Sequence, residues 1–168
     1  MRPKLTMFTG ASLTAALAAA ASPAGGATKP RHVSAPSAAK AASGFAFGGI
    51  TPQSWPVVIA LNKARNVVDQ AVIGLDMACT SGDTFGTSDG LQALKLSKKG
   101  RFSATVGPER IDAGGIPADV ESKVIGRMNK GRASMRGVWS LKITVYDAGG
   151  TTVVDTCESG LVSWTAVQ

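Results

Sequence analysis

The sequence predicts an all-β domain: an antiparallel β-sandwich, immunoglobulin-like or jelly-roll-like, of about nine strands, with a closed β-barrel as the alternative. Two observations carry that expectation. From Phe45 onward, apolar and polar residues alternate over short segments bounded by Gly, Pro, Asn and Asp, which is the period-2 pattern of strands with one buried face. After that point no stretch shows the 3.6-residue apolar repeat of a helix of ordinary length.

In chain order, Phe45 to Thr51 reads as a first, weak strand. Trp55, Val57, Ile59 and Leu61 fall on one face of the next, which places Trp55 in the core. Asn62-Lys63-Ala64-Arg65 forms a polar turn, and Asn66 to Cys79 brings Ile73, Leu75, Met77 and Cys79 into phase. Asp69 shares their parity, so the inward run is expected to begin only at Ala71. Thr80 to Gly90 reads as a polar loop, followed by Leu91 to Ser97 and a Lys98-Lys99-Gly100 turn. Phe102, Ala104 and Val106 face inward from Arg101 to Gly107, and Pro108 to Asp119 reads as a second loop.

The longest feature is a hairpin, Val120 to Asp147, turning at Asn129-Lys130-Gly131. Its inner face carries Val120, Val124, Met128, Met135, Trp139, Leu141, Ile143 and Val145. After Ala148-Gly149-Gly150, Thr151 to Cys157 forms another strand. Val162, Trp164 and Ala166 then have parity opposite to Cys157, so a bulge or short turn is expected at Gly160.

Residues 1–27 read as a cleavable signal peptide: Arg2 and Lys4 precede an Ala/Leu-rich run, and cleavage sites stand after Ala21, Ala24 or Ala27. Residues 28–44 are an Ala/Pro/Ser-rich spacer with too little apolar area to offset the entropy of ordering. The β domain is 45–168, and no second apolar run approaches transmembrane length in the mature chain. The expected location is therefore secreted or extracellular. The formal charge of +7 is concentrated before the domain. Arg2, Lys4, Lys29, Arg31 and Lys40 precede Phe45, leaving 18 − 5 = 13 basic against 11 acidic residues, a balance of +2. Cys79 and Cys157 are the two cysteines, and in an exported chain they suggest one disulfide, the alternative being two unrelated buried thiols.

The succession Trp55-Pro56-Val57-Val58, Cys79, Lys98-Lys99-Gly100-Arg101-Phe102, Ile125-Gly126-Arg127, Gly137-Val138-Trp139-Ser140-Leu141-Lys142-Ile143 and Asp155-Thr156-Cys157-Glu158-Ser159-Gly160 resembles a group of exported β-sandwich proteins of high-GC Gram-positive bacteria. The shared features are a strand ending in Cys, a Gly-x-Phe strand start, and a final Cys-x-x-Gly followed by Trp. The resemblance covers roughly Phe45 to Gln168. It implies export, a sandwich and a disulfide, and it carries over no activity and no catalytic residue.

The residues narrow the chemistry. The single histidine, His32, lies in the spacer, so a Ser-His-Asp or Cys-His arrangement has no base within the domain. Glu109, Asp112, Asp119 and Glu121 are the acids that a carboxylate hydrolase could draw on, but turn and surface roles explain them. Asp83, Thr84, Ser88 and Asp89 lack the spacing of a calcium loop. No catalytic residue, cofactor or metal is therefore expected. Trp55, Trp139 and Trp164 all have core parity, which leaves Tyr146, Phe85 and Phe47 as the aromatics available to stack on a sugar. The hairpin's outer face gathers Lys123, Arg127, Arg136 and Lys142, a surface for an anionic cell-wall polymer or an acidic protein. Nucleic acid is not expected, because no aromatic residues interleave these charges. The sequence thus points to an exported, non-enzymatic binding or structural module of the cell envelope. The alternative is a carbohydrate-directed protein, either a lectin-like binder or a carboxylate-based hydrolase.

Overall fold

A computed structural model describes residues 45–168; the stretches read as signal peptide and spacer, with His32, lie outside the described residues. Nine antiparallel strands form the domain: β1 Phe45–Ile50, β2 Pro56–Leu61, β3 Val67–Cys79, β4 Thr84–Lys95, β5 Arg101–Asp112, β6 Pro117–Met128, β7 Ser134–Tyr146, β8 Val153–Glu158 and β9 Val162–Val167. They hydrogen-bond in the order β4-β3-β2-β1-β9-β7-β6-β5, and β8 pairs with both β3 and β7.

The alternation read from the sequence decides which side chains are enclosed. Phe47, Ile59, Leu61, Ile73, Leu75, Met77, Leu91 and Leu94 from β1–β4 meet Phe102, Val124, Met135, Trp139, Val162 and Trp164 from β5–β9 in one core. At about 25 cal/mol per Å² of apolar surface removed from water, this shared core is the main stabilising term. β8 and β9 lie along the same edge of β7: β9 pairs with Ser134–Trp139 and β8 with Lys142–Tyr146. The chain breaks between them at Gly160, where φ is +63°. That is the expected parity shift, produced by a left-handed residue that glycine adopts without a Cβ clash. The outer edge of β9 pairs with β1, whereas β8 meets β3 at Ala78 and Cys79. The two halves of the domain are therefore joined by backbone hydrogen bonds at both parts of this broken strand.

At the β8–β3 contact, Cys79 and Cys157 are directly opposite and bonded, with Cα atoms 3.9 Å apart. The expected disulfide is present.

Four sequence readings are corrected. The polar run 80–90 is mostly strand, because β4 begins at Thr84 and only the short turn before it is irregular. The stretch 108–119 likewise belongs largely to β5 and β6, with its turn confined to the few residues after Asp112. Phe47 is buried at 1% exposure rather than solvent-facing. Trp55 is not in the core. It precedes β2 and packs against Gly74 and Gly86, where an added Cβ would come within 2.9 and 2.3 Å of its side chain. Gly74 alternates with the inward residues Ile73 and Leu75 of β3, and Gly86 of β4 lies opposite Asp76 on the same face, so the indole lies on the outer face of that sheet. Two residues without a Cβ make room for it, and Ser54, at φ +66°, turns the chain to reach it.

Candidate functional site

Pairing across β5, β6, β7 and β9 aligns side chains into rows that no single strand reveals. Arg101 lies opposite Arg127, Arg127 opposite Arg136, and Arg136 opposite Thr165. Neighbouring strands are about 5 Å apart, so three guanidinium groups project side by side from one outer face. The next outward row is Ser103, Ile125, Val138 and Ser163, and Ile125 is 50% exposed. Between these rows, pointing inward, runs Phe102, Gly126, Gly137 and Trp164. The phenyl ring of Phe102 covers Gly126, and Trp164 covers Gly137, where an added Cβ would lie 2.6 Å from the indole and 2.1 Å from the Ile125 carbonyl oxygen. The missing side chains let the two rings approach to 6.3 Å between centroids.

A cleft of about 1010 Å³ is lined by these rows and by Lys95, Leu96 and Ser97 at the end of β4. Trp164 also lines it, and its buried Nε1 donates to no acceptor among the described residues. Two further clefts, of about 580 and 600 Å³, adjoin it toward the β2–β3, β4–β5 and β6–β7 turns. Together the three are lined by Arg65, Lys95, Lys98, Lys99, Arg101, Arg127, Lys130, Arg132 and Arg136 and by no acidic residue. Arg65 stacks on Phe45, 3.2 Å from its ring centroid. The side chains of Arg101, Arg127 and Arg136 make no hydrogen bond or ion pair with any described residue. Like charges directly opposite in a sheet are destabilising, so the fold does not gain from this row.

The four basic residues read from the sequence are all outward and exposed, but they separate into different environments. Arg127 and Arg136 are cross-strand neighbours. Lys123 lies opposite Ser140, beyond the Ile125 row. Lys142 makes a 2.9 Å ion pair with Glu158 and sits opposite Glu121; its pKa is raised, chiefly by the Glu158 hydrogen bond. Arg101, Lys99, Lys130 and Arg132 complete the arginine end instead. Arg101 could not be placed there from the hairpin alone, because its neighbourhood depends on β5 pairing with the far edge of β6.

The acids are held elsewhere. Asp119 accepts from the Arg110 guanidinium and, at 2.7 Å, from the Tyr146 hydroxyl; both bonds, Arg110 first, hold its pKa below the usual carboxylate value. Asp112 accepts the Gly115 N–H within its turn, and Glu109 and Glu121 are exposed. Asp89 is buried, accepting from the Ser122 hydroxyl and, at 2.7 Å, from Trp139 Nε1. It thereby ties β4 to β6 and β7. Asp155 lies near the two cysteine sulfurs, but those sulfurs are bonded to each other and cannot serve as thiolate ligands.

No protein-family model, curated protein or solved structure matches this chain.

Proposed function

We propose that the protein is an exported, non-enzymatic binding module of the cell envelope, and that its contact surface for an anionic partner is the arginine end. The observation that carries this reading is the lining of the three adjoining clefts: nine basic side chains and no acid. A surface of one sign raises the local concentration of oppositely charged polymers, and its effect falls as salt screens it. The leader sequence and the disulfide support export, since disulfides persist in oxidising compartments. The test is retention on purified cell wall over a salt series. Retention at low ionic strength with release at about 0.5 M salt is expected; passage through the column at low salt would overturn the reading.

A second reading, a carbohydrate binder, has the outer-face position of Trp55 in its favour. The indole edge is fixed by a 2.8 Å hydrogen bond from Nε1 to Asp76, and an aromatic ring held on a sheet surface can stack on a sugar face. A glycan array compared with the Trp55→Ala variant separates this reading from the first.

A further inference from the structure

We propose that the arginine row takes one class of ligand, a linear phosphodiester polymer with polyol or sugar spacers, laid across β5, β6 and β7 with successive phosphates on Arg101, Arg127 and Arg136. This rests on the reading of the arginine end as the contact surface and names its occupant. The row supplies only donors. Planar guanidinium forks match oxyanions in a bidentate manner, and the hydroxyls of Thr165, Ser103 and Ser163 stand at the ends of the same two rows. A phosphodiester offers each guanidinium fork two unbridged oxygens, as a carboxylate does, and its two ester oxygens are further, weaker acceptors for the flanking hydroxyls. The guanidinium groups spring from strands about 5 Å apart, so the ligand must repeat its negative charge on that scale.

The adjacent apolar row decides what lies between the charges. Ile125, half exposed, and Val138 form a strip beside the arginines. A bare inorganic polyphosphate would leave that strip without a partner, whereas a carbon spacer would cover it. Charge complementarity therefore sets the sign of the occupant, and the apolar strip sets its composition.

The probe is a fluorescently labelled glycerol-phosphate oligomer titrated into the full chain by anisotropy, beside inorganic polyphosphate and poly-L-glutamate of matched charge. Each of Arg101→Gln, Arg127→Gln and Arg136→Gln is expected to weaken binding about tenfold or more, the loss of one charge-assisted contact. Ile125→Thr is expected to weaken the oligomer and not polyphosphate. Lys142→Gln, whose partner is Glu158, is expected to change neither. Thermal melts of each variant show that the fold persists, so a loss of binding reports the contact. Equal binding of poly-L-glutamate, or full binding by the Arg101/Arg127/Arg136 triple Gln variant, overturns the proposal. Salt-dependent retention on cell wall without oligomer binding overturns this inference alone; loss of both overturns the parent reading too.

Discussion

The two ends of the domain use charge in opposite ways. At the end carrying the β3–β4, β5–β6 and β7–β8 turns, ionised groups hold structure together. Asp155 accepts from the hydroxyls of Thr80 and Ser81, which draw its pKa down to about 2. Asp147 accepts the backbone N–H groups of Thr151 and Thr152 inside its own turn. Arg110 bonds Asp119, stacks on Tyr146 and donates to the Gly150 carbonyl. The Cys79–Cys157 bridge closes the same end. At the other end, three arginines stand in register with no partner among the described residues. Satisfied charges account for themselves as architecture; a row of unpartnered like charges does not, and that contrast marks the arginine end as the place to look for a ligand.

The contrast can be broken first at the stapled end. The Cys79→Ser/Cys157→Ser double variant is expected to lose about 4–5 kcal/mol on the chain-entropy model, because the bridge spans a sequence separation of 78. Urea unfolding of the variant, and of the wild type with and without reductant, measures it; coincident curves would mean that the hydrogen bonds of β8 suffice. Next in size is the junction between the halves. Asp89→Leu leaves the Ser122 hydroxyl and the Trp139 N–H without this buried acceptor, and is expected to cost about 2–4 kcal/mol, whereas Asp89→Asn retains an acceptor and loses less. Chemical denaturation of the two variants side by side reads the difference.

How far these features could be read in advance depends on what each required. Alternation along one strand is local, so the inward sets of β5, β7 and β9, the hairpin turn at Asn129 and the break at Gly160 were visible in the sequence. Asp89 was not. A Thr-Ser-Asp-Gly run looks like a loop unless its carboxylate has partners, and those partners lie 33 and 50 residues away. Trp55 misled for a related reason: its parity matched the core, but it lies outside the strand, and its slot is made by glycines on β3 and β4. The arginine row was half visible. Arg127 and Arg136 share a hairpin, while Arg101 joins them, and Glu158 neutralises Lys142, only through pairings made by other strands.

A pH series sharpens the stapled side of the contrast. Asp155, Asp119 and Asp147 all have folded pKa values below the ordinary 3.8. For a depressed carboxyl, the unfolded chain takes up protons first as pH falls. The stabilisation is therefore full above the unfolded value and is lost as pH drops through 4 toward 2. The urea midpoint of the wild type should exceed that of Asp155→Asn at pH 6, and the gap should close over that window. A gap constant down to pH 2 would mean that Asp155 acts through its shape alone.

The smallest expected change in stability is the most telling about the arginine end. Replacing Arg101, Arg127 and Arg136 together by Gln removes two like-charge cross-strand pairs and no ion pair made by those side chains. The variant is expected to be as stable as the wild type or more so, by about 0.2–1 kcal/mol for each pair relieved, with the gain shrinking as salt is added. Thermal unfolding at low and high ionic strength measures it. A clear loss of stability would show that the guanidinium stems pack for the fold, and the row would then belong with the architectural charges of the opposite end. An unchanged or raised stability with lost cell-wall retention leaves binding as what these three residues contribute.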